Sequence, residues 1–223
     1  MKKIDKYNTF SPNILEYLQR YAKKSDHILD VGCWTGALGL ELQKQKYKNN
    51  YTLDGIELNT EAIKKAKKSG YRTVFNINLN HLDNYYINQL PTYDIIIFGD
   101  VLEHTQNPEK VLIQLKTLLK PTGMIAISLP NIGFIYFRLT HLFGKWDYTE
   151  TGIMDKTHLK FFTVKSATKL INNSNLKVIE KDGYAGIENK TLIVRSIFKR
   201  LAKIYPPLFA IQMTFLVKPN SDN

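Results

Sequence analysis

Four side chains in two stretches could together perform acid–base chemistry. Asp100-Val101-Leu102-Glu103-His104 puts acids at i and i+3 and a histidine at i+4, so one helical turn would set two carboxylates and an imidazole on a single face. Asp155-Lys156-Thr157-His158-Leu159-Lys160-Phe161-Phe162-Thr163 supplies a second imidazole, His158. Imidazole titrates close to neutral pH. His104 and His158 each fall in a loop on the expected ligand-binding side of the sheet, and they are the candidate general bases. His27, His81 and His141 read as structural. With His158 arriving from the opposite side, two oxygens and two nitrogens could surround a divalent ion and polarise vicinal hydroxyls. The arrangement carried forward is simpler: Asp100 hydrogen-bonds near a ligand, Glu103 orients His104, and no metal binds.

A second set of residues could hold that ligand. His27-Ile28-Leu29-Asp30-Val31-Gly32-Cys33-Trp34-Thr35-Gly36 reads as a buried strand entering a glycine-bearing turn, and Ala37 to Gln45 continue with helical spacing. Glycines there let backbone approach a bound molecule, and the new helix points free N–H groups at the same place. Tyr51 to Ile56 is another apolar run, closed by Glu57 twenty-one residues after Gly36. An acid at that spacing reaches the hydroxyl pair of a ribose. The pattern is Asp30-x-Gly32-x-x-x-Gly36 rather than Gly-x-Gly-x-x-Gly, which disfavours a pyrophosphate. An acid ahead of the first glycine suits a cation instead, such as an ammonium or a sulfonium.

DVGCWTG with GIELN behind it resembles the class I S-adenosylmethionine-dependent methyltransferases. The resemblance implies that S-adenosylmethionine (SAM) is bound by Asp30, Gly32, Gly36 and Glu57, with Asp100 also near it. Relatives place an Asp after the third strand to meet the adenine amino group, and Asn78 is the nearest match here. Trp34 departs from the pattern, since relatives usually carry a small residue at this position. DVLEH…LLKPTGMIAISLPN is similar to the same family, and DKTHLKFFT resembles the closing motif of methyltransferases of ubiquinone-type and polysaccharide pathways, in which His158 would face the acceptor. Some relatives, the ubiquinone-pathway and small-RNA 2′-O-methyltransferases, share an acid-x-x-Glu-His stretch and a later histidine around a metal. Asp100 is shorter by a methylene than the first acid of that set.

The elements that must position these groups alternate. Ser11-Pro12 opens a helix through Tyr21 within an N-terminal helical segment, residues 1–25. Asn59 or Thr60 caps a helix through Lys68 that Gly70 ends, Arg72 to Ile77 is a strand, and Tyr93 to Gly99 has the near-continuous apolar run of a central parallel strand. Asn107-Pro108 opens a helix with Val111, Leu112, Leu115, Leu118 and Leu119 on its core face, and Pro121-Thr122-Gly123 turns into the strand Met124 to Leu129. Strict alternation means parallel strands joined by right-handed crossovers. Asn131 to Lys160 interrupts it with a crowd of aromatics, read as an inserted cap (131–160) over the active site; the plainer alternative is an amphipathic helix covering the sheet edge. Thr163 then caps a helix to Asn173, Leu176 to Glu180 is a strand, Leu192 to Ile204 is a basic helix, and Leu208 to Val217 is the last strand, antiparallel by the resemblance. The whole is a doubly wound, seven-stranded, mostly parallel α/β sheet, Rossmann-like as in methyltransferases, forming one domain over 1–223.

Composition narrows the class. The 223 residues, 43% apolar and 12% aromatic, can bury a full core. The net charge of +11 comes from dispersed lysines and gives only a modest push toward an anionic partner. Cys33 is the single cysteine, so no intrachain disulfide forms, and a reducing, cytoplasmic setting is expected. MKKIDKYNTF has a positive start without the apolar run of a signal peptide. The basic helix around Arg195, Lys199, Arg200 and Lys203 invites a membrane-surface reading at the inner face of the membrane, although burial of its apolar side on the sheet is the expectation. The resulting reading is methyl transfer from SAM to an oxygen, less favourably a nitrogen, of a small molecule or saccharide. Its rivals are an RNA 2′-O-methyltransferase, against which the lack of a basic, aromatic-interleaved surface counts, and an inactive cofactor-binding partner subunit.

Overall fold

The computed structural model describes residues 11–44, 51–186 and 191–220. The basic start of the chain and Gln45, the expected end of the second helix, lie outside them. The elements run α1 (Pro12–Tyr21), β1 (His27–Val31), α2 (Ala37–Lys44), β2 (Thr52–Glu57), α3 (Thr60–Ala66), β3 (Thr73–Asn76), α4 (Asn84–Ile87), β4 (Tyr93–Gly99), α5 (Pro108–Lys116), β5 (Leu119–Pro130), α6 (Ile135–Leu142), α7 (Val164–Asn173), β6 (Leu176–Tyr184), α8 (Leu192–Ile204), α9 (Pro206–Phe209) and β7 (Gln212–Pro219).

Seven strands form one sheet in the order β3-β2-β1-β4-β5-β7-β6. The strand order reverses between β1 and β4, both parallel to their neighbours, so a crevice opens beyond their carboxyl ends. β7 runs antiparallel to β5 and β6. One face of the sheet packs Ile14 and Leu18 of α1, Leu38 and Leu42 of α2 and Ile63 of α3. The other packs Val111, Leu112 and Leu115 of α5 and Ala167 and Ile171 of α7. The helix starts are set by local chemistry: Asn59 accepts from the Glu61 and Ala62 N–H groups, Asn107 from Lys110, and Thr163 forms a reciprocal capping box with Ser166.

Several expectations need correction. Pro121-Thr122-Gly123 does not separate helix from strand; it is absorbed into β5 as a register shift between Tyr93↔Leu119 and Ile95↔Met124. Leu208 does not begin the last strand, because Pro206 and Pro207, with φ preset for a helical first turn, start α9. β6 extends to Tyr184 because β7 pairs with it along that length. The apolar side of α8 is not buried on the sheet. The helix docks through Ala202, whose carbonyl lies where a Cβ on Gly183 would stand, and through half-buried Phe198, while Leu192, Ile193, Ile197 and Ile204 face outward. Nor does α6 cover a sheet edge with an apolar face: none of its residues is buried, and Tyr136, Leu139 and Leu142 are exposed. Its segment is tethered instead by buried Asn131, whose amide donates to the Pro206 and Ala210 carbonyls while its oxygen accepts from Gly133 N–H.

Candidate active site

The turn after β1 is built on three left-handed residues, Gly32 (φ 74°), Trp34 (φ 45°) and Gly36 (φ 86°). The Gly32 and Cys33 N–H groups both donate to the Ile56 carbonyl, which ties the turn to β2. A Cβ at Gly32 would stand 2.5 Å from Val101 Cγ2, and one at Gly36 2.7 Å from Ser69 Cβ. The glycines thus serve protein packing and backbone shape directly, beyond the room for a ligand that their spacing suggested. Trp34 keeps a conformation that glycine favours, and its N–H donates to Glu57 Oε2 at 3.1 Å.

Glu57 sits where the loops after β1 and β2 meet. Its Oε1 accepts from the Leu58 and Asn59 N–H groups, each at 2.8 Å, so backbone donors aim the carboxylate. Asn76 braces the same loop by donating to the Glu57 and Leu58 carbonyls at 3.1 and 2.8 Å. Asp30 lies beneath the turn and accepts a 2.5 Å hydrogen bond from the Tyr71 hydroxyl. Burial, reinforced by the charge of Glu57 and opposed by the Tyr71 hydrogen bond, pushes its carboxyl up to about 7. Asn78 follows β3, and its side-chain oxygen caps a short 3-10 turn by accepting from Asn80 N–H at 3.0 Å.

The second group of expected residues follows β4. Asp100, at φ 50°, accepts from the Ser128 hydroxyl at 3.1 Å and from the Gln212 amide, so β5 and β7 fix its carboxylate. Burial holds its pKa above the usual carboxylate range. Glu103 and His104 lie in a 3-10 turn over Leu102–His104. The Leu159 and Lys160 N–H groups donate to the Glu103 backbone carbonyl at 2.8 and 3.0 Å, which brings the DKTHLKFFT stretch onto this turn. His104 and His158 then meet edge to face, ring centroids 4.7 Å apart.

Their tautomers can be assigned from their partners. His158 Nδ1 faces the Ile153 carbonyl at 2.9 Å, and His104 Nδ1 faces the Thr157 carbonyl at 3.2 Å. A carbonyl can only accept, so each Nδ1 carries a proton, and in the neutral ring Nε2 is the nitrogen with the lone pair. The Thr157 hydroxyl, 3.2 Å from His104 Nδ1, donates in turn to Asp155 Oδ1 at 2.7 Å. His104 is therefore oriented by Thr157 and Asp155, not by Glu103. Burial, with His104 alongside, lowers the pKa of His158, which keeps it neutral and basic at pH 7.

Glu103 is 1% exposed, and neither carboxylate oxygen has a hydrogen-bond partner. Burial first, then Asp100 and Asp155, raises its pKa well above the usual range. One donor atom from each of Glu103, His104 and His158 lies within 4.8 Å of the others. An orphaned carboxylate beside two imidazole lone pairs is a donor set that fits a divalent ion. Three of the four groups weighed for a metal are thus together, while Asp100 is tied to Ser128 and Gln212. The Asp30–Glu57 group and the Asp100–His158 group meet where Val101 packs on Gly32. Thr157, Asp155, Tyr71, Ser128 and Gln212 were not anticipated. Of these only Thr157 and Asp155 had a local signal, since Asp-x-Thr is a turn-forming pattern.

Comparison with known proteins identifies the family and the fold. A family model described as methyltransferase domain matches residues 5–181. The chain is 23% identical over 199 residues to a ubiquinone biosynthesis O-methyltransferase of Coxiella burnetii, covering 87% of this chain and 83% of that protein. A SAM-dependent methyltransferase from Archaeoglobus fulgidus shares the fold with a TM-score of 0.60 at 18% identity, over 93% of this chain and 94% of that one. The plantazolicin methyltransferase BpumL, solved in complex with SAH, superposes with a TM-score of 0.59 at 18% identity, over 98% and 85% of the two chains. With its crevice at the β1–β4 reversal, its turn-bound acid and its matched family model, the chain belongs to the methyltransferase-domain family and is a SAM-dependent methyltransferase.

Proposed function

We propose that this enzyme methylates an oxygen of a small molecule or saccharide, with His104 and His158 beside the acceptor. The observation that carries the reading is the pair of imidazoles whose Nδ1 protons are committed to carbonyls and whose Nε2 lone pairs remain available. Methyl transfer is an in-line displacement at the sulfonium, so SAM supplies the electrophilic carbon and the protein must hold the acceptor oxygen behind it. An alcohol acceptor also loses its proton as it attacks, and a neutral imidazole fixed at the site can take it. Resemblance to a ubiquinone biosynthesis O-methyltransferase supports oxygen over nitrogen.

Within this reading Glu57 receives the ribose hydroxyls, and Gly32 and Gly36 shape the turn beneath the nucleoside. Asp30, ionised when a cation arrives, stabilises the sulfonium and ammonium through its field. Asn78 is assigned to the adenine edge and Asp100 to the methionine end. Residues 131–160 act as a cap within a single 1–223 domain, closing the acceptor pocket with their aromatics.

The orphaned carboxylate of Glu103 favours a second reading of the same reaction, in which Glu103, His104 and His158 hold a divalent ion. When bound there, such an ion would lower the pKa of an acceptor hydroxyl. Glu103 would then ionise, and Thr157 and Asp155 would keep the His104 ring in register. The test is turnover with methyl-labelled SAM against a panel of phenols, catechols and sugars. Labelled oxygen methyl product that falls in His104→Ala and His158→Ala variants is expected; label on nitrogen alone, or undiminished turnover in both variants, refutes the reading. Loss of turnover on chelation, with metal measured in the untreated protein, selects the metal-dependent form.

A further inference from the structure

We propose that α8 is a membrane-surface helix that docks this protein on an anionic phospholipid bilayer. Ile193, Ile197 and Ile204 stand at i, i+4 and i+11, within about 40° of arc at about 100° per residue. They are 75%, 51% and 78% exposed. The opposite side of the helix carries buried Ala202 and half-buried Phe198, whose ring meets Phe209 with centroids 6.3 Å apart. The helix is therefore already docked, and the isoleucine stripe is its outer face. A stripe of large aliphatic side chains left in water signals a partner.

Charge identifies the partner. Leu192–Ile204 contains Arg195, Lys199, Arg200 and Lys203 and no acid. Arg200 and Lys203 fall on one flank of the stripe at about 100° per residue and can reach lipid phosphates while the isoleucines enter the acyl boundary. A second copy of this chain would place like charges face to face, which disfavours self-pairing. At 13 residues α8 is too short to span a bilayer and suits lying in its plane. No helix among the described residues is long and apolar enough to cross a membrane. Exposed Tyr205 follows directly, and α6, with Tyr136, Leu139 and Leu142 exposed, is anchored to the same corner through the Arg138 guanidinium on the Pro207 carbonyl.

The test is flotation of the full chain with phosphatidylcholine vesicles, with and without phosphatidylglycerol, at low salt. Binding to the anionic vesicles is expected. It should fall at least about tenfold in Ile197→Asp and about fivefold for each of Arg200→Gln and Lys203→Gln, with SAH affinity and the melting transition unchanged. Should Ile197→Asp fail to fold, Ser196→Cys carrying an environment-sensitive fluorophore reports the same contact, since Cys33 is buried and escapes labelling; a blue shift on anionic vesicles is expected. Absence of flotation and of a blue shift, equal binding by Ile197→Asp, or a wild-type dimer that ignores vesicles and is dissociated by Ile197→Asp would each overturn the proposal. None of these readouts involves methyl transfer, so they stand apart from the assignment of the active site.

Discussion

Replacing Glu57 with Gln separates two roles that the carboxylate combines. One oxygen accepts from the Leu58 and Asn59 N–H groups and the other from Trp34 N–H, all between 2.8 and 3.1 Å. Glutamine keeps one carbonyl oxygen for the first pair but turns an NH2 group toward the Trp34 donor. That clash leaves this backbone donor without its carboxylate acceptor and should lower folding stability by about 1–3 kcal/mol. The ribose loses a charged acceptor in the same step. A hydrogen bond to a charged group contributes about 1.5–3 kcal/mol, so SAH should bind about 10- to 150-fold more weakly. Thermal unfolding measures the first effect and isothermal titration with SAH the second. A lower melting temperature with SAH affinity within about twofold of wild type would make Glu57 a brace for the turn and remove it from the ribose site.

His158→Ala should reduce turnover by about 10²- to 10⁴-fold while leaving SAH affinity unchanged; a rate within a few-fold of wild type excludes it as the base. Asp155→Asn weakens the acceptor behind the Thr157 hydroxyl, so turnover should drop severalfold with a shifted pH profile, and Asp155→Glu should recover part of it; identical profiles for all three proteins would reduce Asp155 to a structural role. Asp30 predicts a pH dependence. Its folded pKa of about 7 lies above the ordinary carboxylate value, so the ligand-free protein holds the extra proton, and this group's contribution to stability, full at low pH, is lost as pH rises through about 7. A cationic cofactor favours the ionised form, so SAM should bind more tightly as pH climbs toward 7 and level off above it, a trend absent in Asp30→Asn; a pH-independent affinity in the wild type contradicts the role given to Asp30.

Much of the binding half of the site is legible in the sequence because it depends on local rules. A buried strand, a turn with glycines and an acid at the end of the next strand occupy neighbouring parallel strands whatever else the chain does, and Gly32, Gly36 and Glu57 fall where those rules put them. The orientation of the chemical groups was harder to read because it depends on pairs far apart in sequence. Asp100 is fixed by Gln212 across the antiparallel β7, and Asp30 by Tyr71, contacts that only the strand order creates. Glu103 shares a face with His104, as the spacing suggests, but does not orient it, because the 3-10 turn buries the carboxylate and His104 meets Thr157 instead. For α8, the 3.6-residue period located an apolar stripe but could not say which side faced the protein; the close backbone approach of Ala202 to Gly183 decided that.

In a crystal structure of the SAH complex, the ribose hydroxyls should lie on the Glu57 carboxylate and the thioether sulfur should be directed at the space beside His104 and His158. A nucleoside bound elsewhere, or a sulfur turned away from both imidazoles, would contradict this assignment of the site.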